Sequence, residues 1–109
     1  YLVDVIQGVL SFIHLLSRNA SPIPPIHLTS GRPMSLGEVA KIAQEASEHP
    51  IEIVEKPSRT FDVSRFWGDP SQAREWLKWK AAVSLEDGMQ RLIDQYRLVH
   101  NTPRTLVMR

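Results

Sequence analysis

The sequence of 109 residues predicts an α/β chain with about four helices and two short strands. Four stretches place apolar residues at intervals of three and four next to a capping residue, which is typical of amphipathic helices. Two shorter stretches rich in β-branched residues are bounded by proline or glycine, as strands often are. With 42% hydrophobic residues, the chain has enough apolar side chains for a modest core.

The first helix is predicted at residues 4–17, where apolar residues recur at helical spacing and Asp4 stands at the capping position. Three prolines in residues 19–25 predict a surface connection. Residues 26–29 follow as the first predicted strand.

The second helix is predicted at residues 35–47 and begins with a capping box. In this motif Ser35 accepts a hydrogen bond from the third backbone amide, and Glu38 reaches back to the backbone of Ser35. Residues 51–55 alternate apolar and acidic side chains, which predicts a half-buried second strand.

The last two helices are predicted at residues 69–78 and after Ser84. Asp69 is expected to cap the first of them, with Trp76 and Leu77 turned inward. Ser84 is expected to cap the second, and its apolar stripe continues to residue 99. A tail without clear periodicity occupies residues 101–109.

Composition excludes several classes of protein. A formal net charge of +1 with scattered Lys and Arg argues against a nucleic-acid binder. The chain has no cysteine, so disulfides and thiolate metal sites are excluded. Its longest apolar run, residues 9–16, is too short to span a bilayer, and its four histidines show no metal-ligand spacing. We expect a cytoplasmic protein that binds neither membrane nor metal.

Arg59 and Asp62 are the candidate site residues, three positions apart in a loop. A guanidinium pairs with phosphate, and a carboxylate accepts hydrogen bonds from sugar hydroxyls. The pair therefore suits an anionic ligand that carries hydroxyl groups. From the spacing alone, a solvated ion pair within the loop is the simpler interpretation.

Six motifs follow one another in a fixed order and cover nearly all of residues 1–99. They are Tyr1-Leu2-Val3-Asp4-Val5; Ser30-Gly31-Arg32-Pro33-Met34-Ser35-Leu36-Gly37-Glu38-Val39-Ala40; Arg59-Thr60-Phe61-Asp62-Val63; Asp69-Pro70-Ser71-Gln72-Ala73; Leu77-Lys78-Trp79; and Ser84-Leu85-Glu86-Asp87-Gly88-Met89. In this order they closely resemble the C-terminal portion of extended short-chain dehydrogenases, which have a Rossmann-type fold. Within that group they resemble the NAD-dependent epimerase/dehydratase family that acts on nucleotide-diphosphate sugars.

The resemblance implies that residues 1–100 form the C-terminal, helix-rich substrate-binding portion of such an enzyme. Arg59 matches the family's arginine that contacts the diphosphate, and Asp62 matches the acid that often contacts the ribose. NAD or NADP would be bound by an N-terminal half that is not in this sequence. There it would take a hydride from the sugar and later return it. The expected partners are the nucleotide-diphosphate sugar, the rest of the polypeptide and, for the full-length enzyme, a second copy in a homodimer.

The chain departs from the family pattern in two ways that affect the backbone. Thr60-Phe61 stands where proline-glycine is common, which bears on the path of the candidate loop. Lys78 replaces a glycine, and a left-handed backbone at that position would cost about 1 kcal/mol.

Two motifs that hydride chemistry requires are absent from the sequence. The five glycines form no glycine-rich turn, and the catalytic tyrosine with a lysine four residues on is not found. Tyr1 is followed at that spacing by Val5, and Tyr96 by His100. Since the chain also begins at Tyr1 without an initiator methionine, we expect a fragment of a longer enzyme that does not catalyse the reaction alone.

Two other functions fit the same sequence. The chain would equally serve as part of another extended short-chain reductase, one acting on a carbonyl or carrier-bound substrate. It would also serve as a non-catalytic association module that uses the apolar face of the first helix.

Overall fold

Four helices make up the regular structure of the described residues: α1 (Leu2–Arg18), α2 (Leu36–Ala46), α3 (Ser71–Leu77) and α4 (Leu85–Asn101). The computed structural model describes residues 1–19 and 21–101. Within these residues the prediction of four helices is confirmed. The predicted tail lies outside them apart from Asn101, which ends α4.

The two predicted strands are not formed, so that part of the α/β prediction is wrong for the described residues. Residues 26–29 and 51–55 have no regular structure. A strand needs a neighbour to receive its backbone hydrogen bonds, and neither segment finds one among the described residues. At Ile51 the backbone carbonyl instead accepts a hydrogen bond from Nε2 of Gln44, at 2.7 Å.

The first helix begins two residues earlier than predicted, and Asp4 is not its cap. Tyr1 takes the N-cap position without a side-chain hydrogen bond. Asp4 is buried in the first turn, where its Oδ2 accepts a hydrogen bond from the backbone N–H of Val83 at 3.0 Å. Trp79 donates its indole N–H to the backbone carbonyl of Asp4 at 2.8 Å. Asp4 therefore ties α1 to the segment between α3 and α4.

Side-chain caps are present at the starts of α2 and α4, as predicted. The Oγ of Ser35 accepts from the N–H of Glu38 at 3.1 Å, and the Oε2 of Glu38 accepts from the N–H of Ser35 at 2.7 Å. Hydrogen bonds from the backbone and then the side chain of Ser35 lower the pKa of Glu38. At the start of α4, the Oγ of Ser84 accepts from the N–H of Asp87 at 3.1 Å. Since α2 packs against α4, these caps fix two helices that are in contact.

The third helix is shorter than the predicted range of 69–78. Pro70 takes the N-cap position, and Oδ1 of Asp69 accepts a hydrogen bond from the N–H of Ser71 at 2.9 Å. This backbone hydrogen bond is the main cause that lowers the pKa of Asp69. The helix ends at Leu77, and its C-cap residue Lys78 has a left-handed backbone with φ 53° and ψ 28°. Lys78 therefore has the left-handed backbone conformation that is unfavourable for a residue other than glycine.

Few residues are buried where the helices meet. Within the described part of the chain the buried residues are Asp4, Gly8, Ala73, Trp79 and Gly88. A side chain at Gly8 would place its Cβ 2.7 Å from Leu28 and 3.2 Å from the indole nitrogen of Trp79. The absence of a Cβ at Gly8 lets α1 approach Leu28 and Trp79 closely. Elsewhere α1 packs against α3.

Much of the apolar side of α1 is exposed. Eight of its large hydrophobic side chains are 40% to 68% exposed, namely Leu2, Val3, Val5, Ile6, Val9, Leu10, Ile13 and Leu16. The Cα radius of gyration is 18.9 Å, whereas a compact domain of this size has about 13 Å. The chain therefore leaves apolar surface that its own described residues do not cover. Within them, no helix combines the length and the apolar character needed to cross a bilayer.

Candidate functional site

The two candidate residues lie at the ends of one turn in the loop between α2 and α3. The N–H of Asp62 donates to the backbone carbonyl of Arg59 at 3.1 Å, which closes the turn. Thr60 and Phe61 are its central residues, and neither has a positive φ. A proline-glycine pair suits a turn with positive φ at the second central position, whereas this turn does not need glycine. The local backbone therefore accommodates the departure from the family pattern.

The side chains of Arg59 and Asp62 are in direct contact. Oδ1 of Asp62 accepts from Nε of Arg59 and lies 3.0 Å from Nη2 of the same guanidinium. Oδ2 of Asp62 accepts from the backbone N–H of Arg59 at 2.7 Å. One carboxylate thus contacts the edge of the guanidinium that carries Nε and Nη2. The arginine side chain is 70% exposed and that of the aspartate 33%.

The contact with Asp62 leaves several N–H donors of Arg59 without a hydrogen-bond partner among the described residues. A guanidinium has five N–H donors, of which that of Nε donates to Asp62, while Nη2 lies at ion-pair distance from the same oxygen. The remaining donors, on Nη1 and Nη2, form no hydrogen bond with the described residues. Two N–H groups at the end of a guanidinium match two oxygens of a phosphate or carboxylate. Chemically, the turn presents one oriented cation to solvent.

Phe61 is the residue of this turn that the sequence reasoning did not assign to the site. The Cζ of Arg59 lies 4.7 Å from the centroid of the Phe61 ring, within the range of a cation–π contact. The signal in the sequence was an aromatic residue two positions after an arginine in a turn. The neighbouring arginine Arg65, next to Phe66 and Trp67, makes no such contact within the described residues.

The candidate residues line none of three well-formed cavities among the described residues. One of them, of about 680 Å³, lies between the first turns of α1 and α4, and apolar side chains such as Val5 and Leu92 form much of its wall. Two others, of about 550 and 410 Å³, lie along α1. Arg59 and Asp62 stand instead on an exposed loop, so an enclosed site at this loop requires walls from other residues.

The helix starts of the described residues do not suit the pyrophosphate of a dinucleotide. Such a site needs a glycine-rich turn with free backbone N–H groups. The first turn of α1 contains Asp4, the capping carboxylate of Glu38 closes α2, and Glu86 and Asp87 occupy the first turn of α4. The remaining helix, α3, has only seven residues. We therefore assign no step with NAD or NADP to these residues. They also contain no group of three metal-ligating side chains.

Known proteins similar in sequence have names that refer to UDP-sugars. The chain is 30% identical over 87 residues to UDP-glucose 4-epimerase of Bifidobacterium longum subsp. longum, covering 80% of this chain and 25% of the relative. It is 29% identical over 103 residues to UDP-glucose 4-epimerase of Neisseria meningitidis serogroup C, covering 94% of this chain and 29% of the relative. It is 24% identical over 97 residues to UDP-glucuronic acid decarboxylase 1 of Arabidopsis thaliana, covering 89% of this chain and 21% of the relative.

These similarities cover nearly the whole chain but only a small part of each relative. No family model matches the chain. No solved structure matches it either. The chain is thus similar to UDP-sugar epimerases and a UDP-sugar decarboxylase, and it spans between about a fifth and three tenths of their length.

Proposed function

We propose that this chain is the substrate-binding part of an NAD(P)-dependent nucleotide-sugar epimerase or dehydratase. Residues 1–100 would form this part, and the cofactor-binding and catalytic residues would belong to the rest of the polypeptide. The similarity to UDP-glucose 4-epimerases over 80% to 94% of the chain supports the substrate class. A homodimer of the full-length enzyme stays a prediction.

The observation that carries the proposal is the oriented guanidinium of Arg59. Its unused N–H groups would bind the diphosphate of the substrate, since charged hydrogen bonds to phosphate are strong and directional. Asp62 has about four acceptor positions and uses two of them for hydrogen bonds from Arg59, so others stay available for a ribose hydroxyl. The chain's contribution is to position the substrate, and no bond is broken by its described residues.

The first test is the affinity of the full-length protein for UDP-glucose, by calorimetry, with and without Arg59→Ala. Loss of charged hydrogen bonds costs about 1.5–3 kcal/mol, so we expect binding to weaken about 10- to 100-fold. Arg74→Ala is the control, because Arg74 is an exposed arginine on α3 without an ion pair among the described residues. An affinity unchanged by Arg59→Ala would remove the proposed role of this residue.

A related reductase without a nucleotide substrate is the alternative enzyme. It would share the helices described above but would have no need for a diphosphate contact at Arg59. Measuring the binding of UDP-, dTDP-, GDP- and CDP-sugars to the full-length protein separates the two. Failure of all four to bind would favour the reductase.

An association module is the second candidate, and the exposed apolar side of α1 favours it. Leu10 is 60% exposed and Ile13 is 57% exposed, although both lie on the apolar face of the helix. Upstream sequence without a glycine-rich turn and a tyrosine-lysine pair would support this function over an enzyme.

A further inference from the structure

Both carboxylate oxygens of Asp62 engage Arg59. Oδ1 accepts a hydrogen bond from Nε at 3.0 Å and lies 3.0 Å from Nη2, and Oδ2 accepts the backbone N–H of the same residue at 2.7 Å. These contacts fix which edge of the guanidinium faces solvent.

Phe61 restrains the same guanidinium from a second direction. The Cζ of Arg59 lies over its ring, 4.7 Å from the ring centroid. The ring is 73% exposed, so burial in a core does not explain its place in the turn. Asp62 holds the side of the guanidinium and Phe61 its face, which leaves the end formed by Nη1 and Nη2.

We propose that Phe61 and Asp62 are positioning residues that orient Arg59 for end-on binding of a diphosphate. This inference rests on the proposed function and adds to it the two residues through which Arg59 acts. A long arginine side chain loses rotamer freedom when it binds a ligand, and a side chain already held in place loses less. The two contacts should therefore raise the affinity for any diphosphate, whether or not it carries a sugar or base.

Two ligands separate positioning of Arg59 from direct contact with a hydroxyl. Inorganic pyrophosphate has the phosphate oxygens but no hydroxyl of a ribose, whereas UDP has both. Binding of each to the full-length protein is measured by calorimetry for the wild type, Arg59→Ala, Phe61→Leu, Phe61→Tyr and Asp62→Ala. Melting temperatures of all variants show whether the fold is intact. The loop is exposed, so we expect them to be unchanged.

Phe61→Leu removes the aromatic face and keeps an apolar side chain. An exposed cation–π contact can add at most a factor of about two to five to affinity by orienting the arginine, so both ligands should bind more weakly by up to that factor. Phe61→Tyr keeps the ring and should bind both within about twofold of the wild type. Equal binding by the leucine variant and the wild type would overturn the role of Phe61.

Asp62→Ala gives the sharper test, because two effects oppose each other. Removal of a nearby negative charge by itself strengthens the binding of an anion. We expect pyrophosphate to bind several-fold more weakly all the same, since Arg59 loses its anchor. Unchanged or tighter pyrophosphate binding, with only UDP weakened, would overturn the positioning role and leave Asp62 as a hydroxyl contact alone.

Arg59→Ala shows which proposal has failed. If this variant binds UDP like the wild type, the proposed function of Arg59 is wrong, and the positioning inference fails with it. If it loses binding while Phe61→Leu and Asp62→Ala keep their affinity for pyrophosphate, only the positioning inference is wrong.

Discussion

Asp4 shows how a single residue joins parts of the chain that are far apart in sequence. It lies in the first turn of α1, yet its carboxylate binds the N–H of Val83 and its backbone carbonyl binds the indole of Trp79. The hydrogen bond from Val83 lowers the pKa of Asp4, although burial opposes this shift. A carboxyl group with a lowered pKa stabilises the fold in its charged form.

Asp4→Asn is therefore expected to reduce stability at neutral pH, because a neutral amide oxygen is a weaker acceptor for Val83. The contribution of Asp4 is present above the ordinary pKa of 3.8 and is lost as the pH falls through the lowered value. Urea midpoints of wild type and variant should differ at pH 7 and converge as the pH falls below the pKa of the folded state.

The control for this prediction is Glu55→Gln, which removes one negative charge from an exposed side chain outside the helices. It should leave the urea midpoint at pH 7 nearly unchanged. A constant difference between wild type and Asp4→Asn across the whole pH range would contradict the role of the charge.

The candidate site was predictable in part. The spacing of Arg59 and Asp62 already places them within reach of each other, because residues three apart meet across one turn. The contact of Arg59 with Phe61 depends on the exact path of the turn, which the sequence does not specify. Likewise, Asp4 was interpreted as a cap because its partner, Val83, is distant in sequence.

At the scale of the elements, local signals were reliable and long-range ones were not. The capping box of Ser35 and Glu38 needs only four consecutive residues, so sequence was sufficient to predict it. The prediction of strands at residues 26–29 and 51–55 is wrong because a strand forms only beside a neighbouring strand that pairs with its backbone hydrogen-bonding groups. An alternating pattern indicates which face of a strand would be buried, but it does not indicate whether a partner strand is present.

The left-handed backbone at the C-terminal end of α3 is expected to lower the stability of the protein. Lys78 has φ 53° in a left-handed conformation that most side chains avoid. Lys78→Gly should stabilise the protein by about 1 kcal/mol, because glycine adopts this backbone without a steric penalty. The free energy of unfolding in urea measures the gain.

Lys78→Ala is the matched control for this substitution. Alanine also removes the charge and the long side chain, but it keeps a Cβ and therefore the strained backbone. A gain from alanine as large as that from glycine would show that the side chain, and not the backbone, is unfavourable.

At the scale of the whole molecule, exposed apolar surface dominates. On the side of α1 that carries Val9, Leu10 and Ile13, these side chains are 46% to 60% exposed. We expect residues 1–109 expressed alone to enhance the fluorescence of the dye ANS and to unfold with low cooperativity, as proteins with accessible apolar surface do. In the longer enzyme proposed above, other residues should cover this face, and that protein should show neither property.

The substitutions Leu10→Gln and Ile13→Gln together supply the comparison. They remove two large side chains from the exposed face and should reduce the dye signal of the isolated chain. A sharp unfolding transition without dye binding by the wild-type chain would contradict the prediction, since it would mean that the apolar face of α1 is covered in solution.

The way in which the helices pair makes the two halves of the chain depend on each other. Since α1 packs against α3 and α2 against α4, each contact joins the first half of the sequence to the second. A cut in the exposed segment 51–67 would leave one helix of each pair on either piece. Two separate peptides divided there would have to bind each other to regain either contact, so the halves are complementary fragments and not independent folding units.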